Sequence, residues 1–313
     1  MLILHNRISK AELKKRFLFS QQPRITISFY KYFNIVNIQK YRDNIYKKFF
    51  KYHVLGRVYI ANEGINAQIS IPVKFYDIVN KIIQSSNSSL KNIRINKALN
   101  DIGQSFWVLS IKIKKNIVAD GIKNTTFDPY DTGIYLQAPE VNAMIKNSNT
   151  ILVDMRNYYE YKIGHFEGAI NIKSNTFREQ LQLIIKSLDY AKHKNIIMYC
   201  TGGIRCEKAT AWMKFHGFKN IYHIEGGIIG YVSHAKKNNL PIFFKGKMFV
   251  FDYRMSEKIS HDVISKCQQC HRKEDTYTNC AHHKCHRLFI QCHRCSIRFS
   301  NCCSIQCMNK III

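Results

Sequence analysis

One stretch of the chain, residues 195–215, limits the possible folds more than any other. It opens with an apolar run typical of a short buried strand, passes through a loop that contains Gly202 and Gly203, and continues into the helical pattern of residues 207–215. A buried strand that leads directly into a helix is the repeating unit of parallel α/β sheets, which place their chemistry at the carboxyl ends of the strands. Cys200 follows such an end.

Cys200 lies on the loop between this strand and this helix. The first N–H groups of a helix have no partner within it, and the helix dipole adds positive potential there. With a cation nearby, such a position lowers a cysteine pKa from about 8.5 to roughly 3.5–7.5. We therefore interpret Cys200 as a nucleophilic thiolate and Arg205 as the cation; a buried structural cysteine is the alternative. The loop backbone expected to cradle an anion comprises Thr201, Gly202, Gly203 and Ile204.

The 313 residues suffice for two or three domains, and the N-terminal part predicts a separate fold. Residues 25–113 have the order strand, helix, strand, strand, helix, strand, with strand-like segments at both 92–96 and 107–113 after the second helix. This order predicts a ferredoxin-like βαββαβ domain. Glu63 and Asn66 lie beside Gly64, at the tip of the hairpin between the second and third predicted strands. They either have a function at this tip or only shape the hairpin.

Positive charge is concentrated in the same part of the chain. The net charge is +27, and residues 1–115 contain 21 basic and 5 acidic residues, a net charge of +16. Dispersed lysines and arginines favour a nucleic acid partner over a small acidic metabolite, because each contact with a phosphate of the backbone adds to the affinity. Compositional drift in an AT-biased genome is the alternative. With no apolar run of about 18 residues and no signal peptide, we expect a cytoplasmic protein without a membrane span.

Nine of the eleven cysteines lie in residues 257–313. In a reducing compartment they are expected to be metal ligands rather than disulfides. Two Cys-x2-Cys pairs with further thiols predict a closed structural site for one or two zinc ions, and an iron–sulfur cluster is the alternative. Two tetrahedral ions need eight ligands and nine thiols are present, so the spacing does not decide which cysteines bind which ion. The predicted metal ligands are Cys267, Cys270, Cys280, Cys285, Cys292, Cys295, Cys302 and Cys307.

A set of residues around the Cys200 loop forms a recognisable constellation. It comprises Asp154, Arg156, Glu160, Gly164, His165, Gly168, Ala169, Asn171, Ile172, the loop from Cys200 to Arg205, Gly226 and Gly227. With this set, residues 130–240 resemble a rhodanese domain, a parallel α/β fold whose loop cysteine is the nucleophile and often carries a persulfide. We interpret Asp154 and Arg156 as a structural ion pair and His165 as a packing or hydrogen-bonding residue. Phosphatases of this superfamily place an arginine six residues after the cysteine; here Arg205 comes one residue earlier, which disfavours phosphatase chemistry.

Three segments, residues 56–67, residues 200–208 and residues 277–281, carry a second and longer resemblance. Through them the chain is similar, over nearly its full length, to the oxygen-dependent tRNA wobble-uridine hydroxylases. This similarity implies an oxidoreductase that hydroxylates C5 of the wobble uridine with molecular oxygen and needs the loop cysteine. The implied partner is the anticodon stem-loop of tRNA, with no protein partner, and the chain contains no flavin or NAD motif.

The sequence therefore predicts three domains and one function, with two alternative functions. Residues 1–120 are expected to form a basic ferredoxin-like domain that binds tRNA, residues 121–245 a rhodanese-like catalytic domain, and residues 246–313 a cysteine-rich zinc-binding module. A sulfurtransferase that acts through a Cys200 persulfide is the rival function. A non-enzymatic RNA-binding protein is a third possibility, which the presence of both Cys200 and Arg205 disfavours.

Overall fold

The computed structural model describes residues 22–99, 105–124 and 126–311, together with residues 4, 6, 8, 9, 12, 13 and 15. Most of residues 1–21, assigned above to the first domain, therefore lie outside the described part of the chain. The N-terminal elements are β1 (Arg24–Tyr32), α1 (Ile38–Lys51), β2 (Leu55–Ala61), β3 (Gly64–Pro72), α2 (Tyr76–Ser85), β4 (Asn96–Lys97) and β5 (Leu109–Ile113), with short 3-10 turns at Val73–Phe75 and Ser88–Leu90.

These strands form one sheet in the order β4-β1-β3-β2-β5, so the predicted ferredoxin-like arrangement is confirmed. β5 is an added fifth strand, parallel to β2 at the edge of the sheet. The strand predicted at residues 92–96 is much shorter, because only Asn96 and Lys97 pair with β1. Asn92 has φ of 56°, a left-handed conformation that interrupts an extended chain.

The two faces of this sheet differ in composition because strand side chains alternate between faces. One face packs its apolar side chains, including Ile27, Phe29 and Ile69, with residues of α1 and α2 in a single core. The intervening positions, such as Ser28 and Gln68, are half-buried and polar. The polar face is turned toward the second domain.

The second domain is built on the predicted parallel sheet, in the order β6-β11-β10-β7-β9. The short strand β6 lies within residues 116–138, a segment that the turn-forming residues 128–133 predict to be a linker. A three-residue edge strand with two exposed side chains carries too little pattern to be recognised. The elements are β6 (Ile134–Leu136), α3 (Ala138–Met144), β7 (Thr150–Asp154), α4 (Tyr158–Ile163), β8 (Gly164–Phe166), β9 (Ile170–Asn171), α5 (Phe177–Ser187), a 3-10 turn (Asp189–Ala191), β10 (Asn195–Tyr199), α6 (Ile204–Phe215), β11 (Asn220–Ile224) and α7 (Gly227–Lys237).

The C-terminal part is joined to the second domain by a shared sheet. β12 pairs with β8 of the preceding domain and with β13. Gly246, the expected first residue of the tail, lies inside β12. The remaining elements are small and surround the cysteines. The elements of this part are β12 (Phe244–Phe249), β13 (Ser256–Lys258), β14 (Tyr277–Asn279), β15 (Leu288–Ile290), α8 (His293–Arg298) and α9 (Ile305–Asn309).

Lys208 of α6 fixes the first domain against the second. Its Nζ is 2.6 Å from a carboxylate oxygen of Glu63, in the β2–β3 turn, and 2.7 Å from one of Asp120. Lys208 and Asp120 are almost fully buried, so each charge depends on its partners. Glu63, one of the two candidate tip residues, thus holds a domain contact. None of the helices in the described part of the chain has the length and apolar character of a membrane span.

Candidate active site between the domains

Cys200 lies immediately after β10, at the carboxyl end of a central strand, and α6 begins four residues later. The loop between them is tightly turned at Gly203, where φ is 104°. This conformation points the Gly203 backbone N–H at the Cys200 sulfur, with a distance of 3.1 Å from N to Sγ. A Cβ at Gly203 would lie 2.8 Å from the Tyr30 hydroxyl oxygen, so the loop fits the first domain only with glycine there.

The surroundings of Cys200 favour its thiolate. Burial by itself would raise the pKa of this thiol, but the Cys206 side chain, the charge of Arg205 and the backbone N–H groups of Cys206 and Gly203 outweigh it and lower the pKa to about 6. Cys206 is fully buried, and burial together with the neighbouring Cys200 thiolate raises its own pKa well above the usual value. Cys206 therefore stays protonated and donates to Cys200.

Arg205 has a partner that sequence patterns do not indicate. Its guanidinium forms two charge-assisted hydrogen bonds to the buried carboxylate of Glu160, with N–O distances of 2.6 and 2.9 Å. Glu160 also caps α4 by accepting the backbone N–H of Asn157. Thr201 lies beside this pair, with its hydroxyl oxygen 3.4 Å from each partner. Because Glu160 neutralises most of the charge of Arg205, Arg205 positions the loop and favours the Cys200 thiolate rather than offering a free cation.

A cavity of about 320 Å³ opens in front of Cys200, between all three parts of the chain. The cysteine loop forms one wall, and the polar face of the N-terminal sheet forms the wall across from it. The segment that follows β12 closes a third side with Phe251 and Arg254. This volume lies at the low end of the roughly 300–1,000 Å³ of small-ligand sites, and its position between domains is usual for them.

The sheet wall of the cavity contains side chains from four adjacent strands, β4, β1, β3 and β2. Gln68 lies between Ser28 and Arg57, and Asn66 lies between Tyr30 and Tyr59. Of these residues the sequence indicates only Asn66, as a candidate tip. The period-two alternation of β2 and β3 is the signal by which the rest can be found, because it places polar or aromatic side chains on one face. The cavity wall comprises Ser28, Tyr30, Arg57, Tyr59, Asn66, Gln68 and Asn96.

Other predicted site residues do not line this cavity. Asp154 and Arg156 form a fully buried ion pair with an N–O distance of 2.6 Å, and Arg156 also donates to the backbone carbonyl of Gly164. His165 stacks on the ring of Tyr161, with centroids 3.8 Å apart, and burial lowers its pKa. These contacts stabilise the turn after β7 and the strand β8.

The tail brings eight of its cysteines into two groups of four. Within each group the sulfur atoms lie within 4.8 Å of one another, which suits a single tetrahedral ion held by four thiolates. Four thiolates leave no position open for substrate, so each group fits a structural metal. The first group is Cys267, Cys270, Cys292 and Cys295; the second is Cys280, Cys285, Cys303 and Cys307.

Cys303 occupies the place in the second group that sequence spacing assigns to Cys302. The Cys303 sulfur is 3.7 Å from the sulfur of Cys285 and 3.7 Å from that of Cys307. Cys302 is fully buried beside the same group and is not one of its four sulfur ligands. Adjacent residues direct their side chains differently, and spacing alone does not tell which of two consecutive cysteines faces the ion.

Three family models match consecutive parts of the chain. An acylphosphatase-like domain of the UPF0176 type matches residues 24–117, a rhodanese-like domain matches residues 137–234, and a model described as the rhodanase C-terminal domain matches residues 245–308. The first match covers the ferredoxin-like sheet and the second covers the parallel sheet that carries Cys200. The third covers both cysteine groups.

Several bacterial proteins are similar to this chain over almost its full length. One from Buchnera aphidicola, named tRNA uridine(34) hydroxylase, is 61% identical over 99% of this chain and 95% of its own length. A protein from Buchnera aphidicola subsp. Schizaphis graminum is 58% identical over 98% of this chain and 99% of its own length, and one from Pectobacterium carotovorum is 54% identical over 99% and 88%. Both carry the same name. The similarity therefore extends over the N-terminal sheet, the cysteine loop and the tail.

Proposed function

This chain belongs to the tRNA uridine(34) hydroxylase family, and on that premise we propose that it hydroxylates C5 of the wobble uridine in tRNA with molecular oxygen. Cys200 is the nucleophile in this proposal. The site residues that act with it are Arg205, Glu160, Gly203 and Cys206, which hold its loop and its charge. A tRNA substrate also accounts for the expected cytoplasmic location.

The observation that carries the proposal is a stabilised thiolate on one wall of an inter-domain cavity whose other wall is polar. The pKa of Cys200 is about 6, and the cavity of about 320 Å³ is large enough for one nucleobase. Enzymes that modify a base in RNA or DNA commonly take it out of the stack into such a pocket. A thiolate held by backbone N–H groups can add to an electron-poor double bond.

In the first step, the Cys200 sulfur forms a bond to C6 of uracil. The π electron pair of the C5–C6 double bond moves onto C5 and O4, which gives an enolate. Burial excludes water from the thiolate, while the N–H of Gly203 and the S–H of Cys206 hold the sulfur in place before attack. The same groups stabilise the thiolate when it is later expelled.

In the second step, C5 of the enolate forms the new carbon–oxygen bond with dioxygen. The oxygen–oxygen bond breaks as two thiols of an external reductant supply two electrons and two protons and become a disulfide; the second oxygen leaves as water. Loss of the C5 proton then expels Cys200 and restores the double bond. The sum is uracil, dioxygen and two thiols giving 5-hydroxyuracil, a disulfide and water.

Basic side chains around the cavity support tRNA as the substrate. Lys112 and Lys114 are exposed on β5 and on the segment that follows it, and the Lys114 ammonium lies 5.6 Å from the ring of Tyr59 in the cavity wall. Lys91 and Arg94 line a second cavity of about 230 Å³ next to the first. Phosphates on either side of an extruded base need such positive charge.

We propose zinc as the metal of the two cysteine groups. Eight thiolates in two tetrahedral sets fit two zinc ions, each closed to substrate, and the ions would hold together a module with little apolar core. The tail then serves to support the segment after β12 that closes the cavity. No step of the reaction passes through either ion.

The test is nucleoside mass spectrometry of tRNA from a strain that lacks its own wobble-uridine hydroxylase. We expect 5-hydroxyuridine with the wild-type chain and none with Cys200→Ala. Purified protein supplied with ¹⁸O-labelled dioxygen and a thiol is expected to place the label in the product. Label from water instead of dioxygen, or 5-hydroxyuridine made by Cys200→Ala, would overturn the proposal.

The rhodanese loop also favours a second candidate, sulfur transfer through a Cys200 persulfide. The loop N–H groups that stabilise the thiolate would stabilise a persulfide equally well. Incubation with thiosulfate and then cyanide separates the two functions. Thiocyanate release together with a mass gain of one sulfur atom on Cys200, and no 5-hydroxyuridine from tRNA, would favour the transferase.

A further inference from the structure

Arg57 and Gln68 lie side by side on the cavity wall across from the cysteine loop. They are direct partners in the antiparallel register of β2 and β3, where neighbouring side chains of one face are about 5 Å apart. Both line the cavity that contains Cys200, and both are half-buried. Neither belongs to the apolar core of the N-terminal domain, which lies on the other face of the sheet.

A chain of hydrogen bonds holds Gln68 in one orientation. The backbone carbonyl of Ile117 can only accept, so Asn66 must direct its amide nitrogen at it, at 3.1 Å. The side-chain oxygen of Asn66 then faces Gln68 and accepts from Nε2 of that residue at 2.5 Å. In the described part of the chain no donor bonds to Oε1 of Gln68, which is left as an acceptor for a ligand.

Arg57 supplies a matching donor. Its Nη2 donates to the backbone carbonyl oxygen of Phe251, which anchors the guanidinium. Its Nε–H is buried and has no acceptor among the described residues. A buried donor without an acceptor is unfavourable. Because Nε itself is buried, the donor available to a ligand is the guanidinium of Arg57, which lines the cavity.

We propose that Arg57 and Gln68 recognise the Watson–Crick edge of the uracil base, an inference that rests on the proposed function. Uracil presents a carbonyl oxygen next to N3–H, so the Arg57 guanidinium donates to the carbonyl and Gln68 Oε1 accepts from N3–H. Cys200 adds to C6 from one face of the ring, and N3 lies across the ring from C6. In this pose the Watson–Crick edge lies beside Arg57 and Gln68, away from the sulfur.

The pair discriminates against cytosine because cytosine has no hydrogen on N3. In the same position its N3 lone pair would face Oε1 of Gln68, so two acceptors would meet. Cytosine can satisfy both side chains only by moving along its edge, with N3 at Arg57 and the exocyclic amine at Gln68, and this shift takes C6 away from Cys200. Loss of one such contact is expected to cost roughly tenfold to a hundredfold in affinity.

The test measures binding of three anticodon stem-loops that carry uridine, cytidine or N3-methyluridine at the wobble position. Fluorescence anisotropy with full-length Cys200→Ser protein reports base recognition without chemistry. We expect uridine to bind roughly ten to a hundred times more tightly than N3-methyluridine. Adding Gln68→Ala should bring this ratio to within roughly threefold, because both the acceptor and the obstacle to the methyl group are removed. A purely structural role would weaken all three oligonucleotides equally and leave the ratio unchanged.

Gln84→Ala is the matched control. Gln84 is also half-buried and also donates through Nε2 to an asparagine, Asn80, at 3.0 Å, but it lies on α2 and does not line the cavity. The control should keep the preference for uridine. If Gln68→Ala does not fold, Gln68→Met, which keeps the side-chain volume, takes its place.

The results separate this inference from the proposed function. A preference for uridine that survives loss of Gln68, or the lack of any preference in the parent protein, overturns the inference even if the wild-type chain makes 5-hydroxyuridine. A preference that depends on Gln68 supports the inference. If that preference is found while the wild-type chain makes no 5-hydroxyuridine, base recognition stands and the hydroxylation is refuted.

Discussion

The low pKa of Cys200 leads to a prediction about its reactivity. A thiol with a pKa of about 6 is about 90% ionised at pH 7, whereas one with the ordinary value of about 8.5 is about 3% ionised. Because the thiolate is the reactive form, labelling of Cys200 by iodoacetamide should rise with pH to a plateau, with its midpoint near pH 6. Below that midpoint protonation removes the nucleophile, and the proposed hydroxylation should fall in parallel.

The variant that tests the cause is Cys206→Ala, which removes the buried S–H donor to Cys200. A hydrogen bond to a charged group is worth about 1.5–3 kcal/mol, and a thiol is a weak donor, so the low end applies. At 1.36 kcal/mol for each pKa unit, the pKa of Cys200 should rise by about one, from about 6 to about 7. Cys206→Ser keeps a donor and should keep the midpoint near 6.

The assay is the labelling rate of the peptide that contains Cys200, followed by mass spectrometry between about pH 4 and pH 10. Resolving individual peptides separates Cys200 from the cysteines of the tail. A wild-type midpoint near pH 8.5 would refute the assignment of Cys200 as an activated thiolate. An unchanged midpoint in Cys206→Ala would leave that assignment intact and refute the role given to Cys206.

Four further variants test the packing around the site and in the cysteine-rich tail. Lys208→Met should lower the free energy of unfolding by about 3–5 kcal/mol in urea, because it leaves the two carboxylates that face it without a cation. Cys303→Ser should reduce the bound metal, measured by elemental analysis, from two ions per chain to one, whereas Cys302→Ser should retain both. Gly203→Ala should slow the labelling of Cys200 at pH 7, because a Cβ there meets the Tyr30 hydroxyl and displaces the loop N–H.

Each of these predictions has a control in the chain. Lys214 pairs with Asp131 at an exposed site, so Lys214→Met should cost less than about 1 kcal/mol. Equal costs at Lys208 and Lys214 would contradict the buried-pair argument. Gly217 has φ of 86° and open space around its Cβ position, so Gly217→Ala should cost roughly 1–2 kcal/mol in backbone strain without slowing the labelling. Loss of both ions in Cys302→Ser would contradict the grouping of the sulfurs.

Local patterns sufficed for much of the fold. The strand, loop and helix around Cys200, the order of elements in the N-terminal domain and the thiol content of the tail can all be read from neighbours in the chain. Amphipathic periodicity encodes strands and helices locally, and a cysteine at a helix start is activated by backbone groups only a few residues away. These features therefore needed no knowledge of distant contacts.

Local patterns did not predict the shortest strands, or which of two consecutive cysteines binds a metal. β4 is only two residues long because the left-handed Asn92 turns the chain before it, and β6 offers three residues with little pattern. The choice between Cys302 and Cys303 depends on which of the two side chains joins the other three sulfurs of the group. That in turn depends on how the tail packs.

The sequence by itself predicted Cys200 as the nucleophile and determined the strand-to-helix turn on which it lies and the three kinds of module. Only the tertiary structure decided what faces Cys200: the polar side of the N-terminal sheet, with Arg57 and Gln68, and the pairing of Arg205 with Glu160. The physical reason is that these partners lie far apart in the chain. Their approach depends on domain packing, including the buried Lys208 ion pairs, which no local periodicity encodes.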